Sequence, residues 1–124
     1  YAGRIEYCNA THPEPILLQA GSDEPLPLKS NGFYIGMLGE PPFAFESAQL
    51  PVAPGSKLFI FTDGITEARN AGGELYGTQR ITETVRRLAA ANASGARDQL
   101  LEDLAVFCGN TPAEDDLTLL VIEV

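Results

Sequence analysis

The sequence predicts an α+β layered domain in which several strands are followed by two helices and a closing strand. Three observations predict it. Leu58-Phe59-Ile60-Phe61-Thr62 is a run of apolar, aromatic and β-branched residues, suited to a strand buried on both faces. Leu117-Thr118-Leu119-Leu120-Val121-Ile122 repeats that pattern near the end of the chain and is read the same way. Between them, Ile81, Val85, Leu88 and Ala89, then Leu100, Leu101, Leu104, Phe107 and Cys108, recur at helical spacing.

Taken in order, residues 4–10 alternate well enough for a half-buried strand, with Ile5, Tyr7 and Asn9 on one face. Thr11-His12-Pro13-Glu14-Pro15 interrupts it, because prolines neither donate to a ladder nor continue a helix. Residues 16–19 resume as a strand, so a hairpin closed by the Pro-rich loop is expected. A turn over 21–25 leads into the short piece Leu26-Pro27-Leu28. Residues 29–42, rich in glycine and proline, are expected to form a long loop, a kind of segment that often carries function. Residues 43–50 alternate as a strand, and 51–55 turn the chain into the central strand at Lys57.

Beyond Glu67, residues 68–74 read as a flexible loop. The first helix is expected over 78–91, with Thr78 as its N-cap. The second stops at Gly109, a residue suited to a helix C-terminus. A link over 92–95 is short enough to make the helices antiparallel neighbours.

Composition narrows the function classes. Eight basic against seventeen acidic residues give a net charge of −9, a poor surface for nucleic acid, whose phosphates need clustered Lys and Arg. Arg80, Arg86 and Arg87 read as the solvated face of a helix. No stretch approaches the roughly 18 apolar residues of a membrane span. No charged-then-apolar leader opens the chain, and a cytoplasmic protein is expected. Cys8 and Cys108 lack ligand-like spacing and are expected to be reduced, packed thiols. Asn9-Ala10-Thr11 and Asn92-Ala93-Ser94 fit the glycosylation pattern, read as chance without a secretory signal. The chain begins at Tyr1 and its only methionine is Met37, so a fragment of a longer protein is expected.

The chemistry lies in the acids at the strand ends. Asp63-Gly64 ends the central strand, and Glu67 follows four residues later, so a helical turn would put both acids on one side. Glu114-Asp115-Asp116 precedes the closing strand. If the two strands are antiparallel neighbours, Asp63 and Asp115/Asp116 meet at one edge of the sheet. Crowded carboxylates are costly unless protonated or neutralised, and oxygen donors suit Mg²⁺ or Mn²⁺. On pattern alone, an Asp-Gly turn with a solvated charge run is an equally open reading.

Asn9-Ala10-Thr11-His12-Pro13-Glu14-Pro15, the run from Phe61 through Asp63-Gly64 to Asn70, Leu75-Tyr76-Gly77 and Asp115-Asp116-Leu117-Thr118-Leu119 occur in this order at suitable distances. From about Tyr7 to Val121 the chain thereby resembles the C-terminal part of the SpoIIE/RsbU-type serine phosphatases, a bacterial branch of the metal-dependent PP2C phosphatases. The resemblance implies an α-β-β-α sandwich, present here as one partial domain over 1–124 with a mainly antiparallel sheet and two antiparallel helices. It implies a two-metal Mn²⁺/Mg²⁺ centre whose bridging water attacks phosphorus in line. Implied substrates are phosphoserine or phosphothreonine proteins, typically anti-anti-sigma (STAS-type) regulators, with an upstream sensor or receiver domain. Matched by motif, Asp63 and Asp115 are implied metal ligands and Asp116, Glu67 and Gly64 their neighbours. No catalytic residue beyond the metal ligands is implied.

Two departures stand out. Thr11 occupies a position where the family usually has glycine, and a β-branched residue tolerates positive φ poorly, so that loop is expected to take another path or to sit where strain is not needed, and His12 to be structural rather than catalytic. The family's Gly-His-Gly metal motif is absent from these residues and belongs upstream. The chain alone is therefore expected to carry half a metal site and no activity. A non-catalytic binding module that keeps the sheet is the rival reading. The edge of a truncated sheet is also open to pairing with another copy.

Overall fold

The computed structural model describes residues 3–29, 32–36 and 45–124. Its strands are β1 (Gly3–Tyr7), β2 (Ile16–Leu18), β3 (Pro25–Pro27), β4 (Ala48–Val52), β5 (Lys57–Phe61) and β6 (Leu119–Glu123). Three helices, α1 (Asp63–Thr66), α2 (Gly77–Arg87) and α3 (Ala93–Cys108), lie between β5 and β6. The main sheet has the order β3-β2-β5-β6 and is antiparallel throughout, while β1 and β4 form a separate antiparallel pair.

This makes three layers. Phe59 and Phe61 on one face of β5 pack with Ile16 and Leu18 against Ile81 and Val85 of α2, Leu88 at its C-terminal end, and Ala96, Leu100 and Leu104 of α3. The opposite face is covered by β1-β4: Leu17 and Leu58 pack with Leu28, Val52, Ile5, Tyr7 and Leu50. Period-two alternation sends successive side chains to opposite layers.

The expected hairpin between the first two strands is corrected. Gly3 of β1 pairs with Val52 and Tyr7 with Ala48, whereas β2 sits between β3 and β5. The three residues of β2 are all buried, and only a central position between two layers removes an apolar run from water on both faces. The strand expected over 43–50 begins instead at Ala48 and runs through Pro51. Proline is tolerated there because, among the described residues, β4 pairs with β1 alone and its other side needs no donor. Residues 43 and 44 lie outside the described residues, as does most of the 29–42 loop, whose described part over 32–36 has no helix or strand.

The double burial expected for β5 and β6 is corrected as well. Leu58 and Ile60 are half-buried, while Leu120 and Ile122 on β6 are 50% and 41% exposed. The β1-β4 layer lies over β2 and β5 and does not extend across β6. Residues 68–74, expected as a flexible loop, carry a bridge and local side-chain bonds. Arg69 bridges Leu75, and the Asn70 side-chain oxygen accepts from the amides of Gly72 and Glu74, both at 3.0 Å. Thr78 is not the N-cap of α2; Gly77 opens the helix at φ +75°, and Arg80 donates back to the carbonyls of Leu75 and Tyr76. α2 ends at Arg87 and leaves Ala89 exposed. Asn92, expected in the link, is the N-cap of α3 and accepts from the Gly95 amide at 2.8 Å.

Candidate metal centre

β5 and β6 are antiparallel neighbours, with Phe61 opposite Leu119. The pairing continues past the regular ladder through Thr62. Its amide donates to the Thr118 carbonyl (3.1 Å), and its hydroxyl accepts from the Thr118 amide (3.1 Å) and donates to the Asp116 carbonyl (3.2 Å). The chain then turns into α1, a single helical turn whose Gly64 and Ile65 are buried. A Cβ added at Gly64 would collide with the carbonyl oxygen of Asp116. Glycine is required here by that close approach.

Asp63 thus sits between two residues, Thr62 and Gly64, that both lie against the backbone of Asp116. Its carbonyl is held by the Glu67 amide (2.8 Å) and the Thr66 hydroxyl (2.9 Å). The carboxylates of Asp63, Asp115 and Asp116 belong to exposed residues at this edge. Asp115 Oδ1 accepts from the Asp116 amide at 2.7 Å, a local bond that fixes its orientation. Among the described residues, the Glu114 carboxylate lies 3.6 Å from Arg69, and no ion pair reaches Asp63, Asp115 or Asp116.

The donor set therefore fits a hard divalent cation in type, since exposed carboxylate oxygens without a basic partner are what Mg²⁺ and Mn²⁺ select. It is incomplete in number. No group of three or more His, Cys, Asp or Glu able to hold a metal occurs among the described residues. Glu67 is the exposed C-terminal cap of α1. His12 is exposed and local: its Nδ1 lies 2.9 Å from the Pro13 carbonyl, which can only accept, so Nδ1 carries the proton.

The Thr11 expectation is corrected. Thr11 keeps the left-handed conformation at φ +69°, alone among the described non-glycine residues, with its hydroxyl donating to the Ala10 carbonyl at 2.5 Å. Cys8 is exposed rather than packed, and Cys108 is half-buried; both are free thiols. Of the arginines expected on a solvated face, Arg86 and Arg87 are exposed and Arg80 is half-buried, and two of the three are paired. Arg80 pairs with Glu74 at 2.7 Å and lies 4.6 Å over the Phe107 ring, and Arg87 reaches Asp103 at 3.4 Å.

Two features were missed from sequence. Thr62 reads there as the last β-branched residue of a strand, with no sign of its hydroxyl's role. The second is a polar cluster between α2 and α3: Tyr76 and Thr84 both donate to Asp103 Oδ2 at 2.7 Å. Burial pushes the Tyr76 hydroxyl up to about 12. Burial also works to raise the Asp103 carboxyl, but the hydroxyls of Thr84 and Tyr76 and the Arg87 guanidinium outweigh it and hold the group below the usual range. A cavity of about 490 Å³ on the helical side is lined by Ile16, Pro27, Phe61, Thr66 and Arg86, among others; Asp63, Asp115 and Asp116 do not line it.

The family model of Stage II sporulation protein E (SpoIIE) matches residues 1–124. The chain belongs to the SpoIIE family. Protein IcfG of Synechocystis sp. is 31% identical to it over 120 residues, covering 97% of this chain and 18% of IcfG. Among solved structures, the SiaA-PP2C domain of Pseudomonas aeruginosa superposes with a TM-score of 0.81 at 22% identity, over 98% of this chain and 46% of that one. The RsbU and RsbW domains of a Mycobacterium tuberculosis protein give 0.73 at 24% identity, over 98% and 33%. The PP2C phosphatase domain of SpoIIE from Bacillus subtilis, solved with a fragment of its regulatory domain, gives 0.72 at 17%, over 98% and 34%. The fold of this SpoIIE-family chain is thus the C-terminal portion of a PP2C-like domain. The chain spans less than half of each of these solved chains and under a fifth of IcfG. Among the described residues no helix is long and apolar enough to cross a membrane.

Proposed function

We propose that this SpoIIE-family chain is the C-terminal portion of a metal-dependent protein serine/threonine phosphatase domain. The observation that carries the reading is the shared edge: Asp63 is flanked by two residues that touch the Asp116 backbone, next to Asp115. Asp63 and Asp115 would hold the cation, with Asp116, Gly64 and Glu67 shaping their surroundings. Bound Mn²⁺ or Mg²⁺ would supply charge neutralisation at the phosphoryl oxygens and a lowered pKa for the attacking water. The chain's own contribution is to keep two carboxylates at a fixed edge and to leave that edge open to a phosphorylated side chain. The substrate class is a phosphoserine or phosphothreonine protein, with an anti-anti-sigma regulator as its type, in a cytoplasmic signalling setting with an upstream sensor or receiver domain.

Two carboxylates leave a two-metal centre short of ligands. The chain by itself therefore releases no phosphate from a phosphoserine peptide even in millimolar Mn²⁺, and turnover requires the preceding half of the domain. In the complete domain Asp63→Asn removes Mn²⁺-dependent phosphate release while the far-ultraviolet circular dichroism stays unchanged. Full turnover by that variant, or by the 124-residue chain alone, would overturn the assignment. A complete domain that folds and binds the phosphopeptide without hydrolysing it would favour the binding-module reading instead.

A further inference from the structure

We propose that Thr62 and Gly64 are positioning residues that set the spacing between Asp63 and the Asp115-Asp116 loop before any cation arrives. The inference rests on the metal-site reading above and adds the device that holds the site in register. Thr62 makes three bonds across the strand ends, two through its hydroxyl and one through its amide, to the backbone of Asp116 and Thr118. The hydroxyl is used in both senses: it donates to one backbone carbonyl and accepts from one backbone amide of the same loop. Only serine or threonine at this position can do both on so short a side chain. Gly64 completes the arrangement from the other side, because any Cβ there would displace the Asp116 carbonyl that Thr62 holds. Asp63 is thereby clamped between a hydrogen-bonding residue and a residue that admits the loop.

The need for such a clamp follows from charge. Asp115 and Asp116 are exposed, and no ion pair among the described residues reaches them or Asp63. Like charges at one edge repel, so without backbone ties the loop would relax away from Asp63 in the absence of metal. Outer contacts of this kind are worth about 10–100-fold in metal affinity when removed.

The test compares Thr62→Val, Thr62→Ser and Gly64→Ala with the wild-type chain by two readouts. One is amide hydrogen exchange at Thr118, which needs no metal. The other is Mn²⁺ titration followed by paramagnetic broadening of the resonances of residues 62–64 and 115–118. Thr62→Val should speed Thr118 exchange at least tenfold and weaken Mn²⁺ binding about tenfold, and Thr62→Ser should restore both. Gly64→Ala should weaken Mn²⁺ binding although no ligand atom has changed. Unaltered Thr118 exchange and Mn²⁺ binding in Thr62→Val, or loss of both in Thr62→Ser, would overturn the positioning role. Absence of Mn²⁺ broadening in the wild type, matched by Asp63→Asn, would instead bring down the metal-site reading and this role with it.

Discussion

At Thr11 the backbone holds a β-branched residue at φ +69°. An L-residue in this region is strained by about 1–2 kcal/mol, whereas glycine is not, although glycine adds about 0.4–1 kcal/mol of unfolded-state freedom. Thr11 also donates to the Ala10 carbonyl, a bond worth about 1 kcal/mol. These contributions nearly cancel for Thr11→Gly, which should change stability by less than about 0.5 kcal/mol in urea unfolding. Thr11→Val keeps the strain and loses the bond, so it should cost about 1 kcal/mol. A valine variant as stable as the wild type would show that the hydroxyl does not support the turn. Sequence reasoning located this position through the proline-rich loop around it. The local preference of one residue argues against positive φ, but it takes no account of contacts across the loop, such as the Asn9 side-chain amide donating to the His12 carbonyl at 3.0 Å.

At the level of elements, α2 and α3 run antiparallel because the start of one meets the end of the other. Tyr76, just before α2, lies edge-on to Phe107 at 5.3 Å, and Thr84 and Arg87 further along α2 reach Asp103. Asp103 is the shared acceptor of this fastening, and its carboxyl is held below its ordinary 3.8. A depressed carboxyl contributes stability that is present above the unfolded value and is lost as pH falls through the folded one. The chain should therefore lose stability as pH drops from near 4 downward, and Asp103→Asn should flatten that dependence while lowering stability at pH 7. Tyr76 titrates in the opposite sense. Its hydroxyl is raised from 10.0 to about 12, so its contribution is present below pH 10 and fades as pH rises from 10 to 12. Thermal unfolding across both ranges checks the two signs; an Asp103→Asn variant with the parent's acid dependence would remove Asp103 from the account. The helices themselves were legible, because apolar residues at 3.6-residue spacing must face a core. Their ends were not, since apolar spacing does not show the local polar bonds made there, Arg80 on the carbonyls of Leu75 and Tyr76 and Asn92 on the Gly95 amide. The same distinction separates β5 and β6, found by their apolar runs, from the pairing of β1, which depends on a strand more than 40 residues away. Asp63 and Asp115 were legible as strand-end acids, while the Thr62 clamp between them appears only once β5 and β6 are paired.

Across the whole molecule, the two faces of the main sheet are not equally finished. The helical face is closed over Phe59 and Phe61, both nearly inaccessible to water. The other face is closed over Leu17 and Leu58 by the β1-β4 pair but lies open along β6, where Leu120 stands opposite Ile60 and is 50% exposed. The sequence reading gave β5 and β6 the same doubly buried character because their residues are equally apolar; the difference is one of position within the sheet. This asymmetry yields a paired prediction. Leu17 is 0% exposed between the layers, so Leu17→Ala removes a buried side chain and opens a cavity, at about 2–5 kcal/mol. Leu120→Ala removes a side chain already half in water and leaves no enclosed void, so it should cost less than about 1 kcal/mol at the usual value per unit of apolar area. Urea unfolding of both variants at several protein concentrations measures the contrast. If Leu120→Ala costs as much as Leu17→Ala, and its effect grows with concentration, a second copy covers this face in solution and the open-face description is wrong. If the costs differ as expected, Leu120 faces solvent in these 124 residues and contributes only through the half of its surface that is buried.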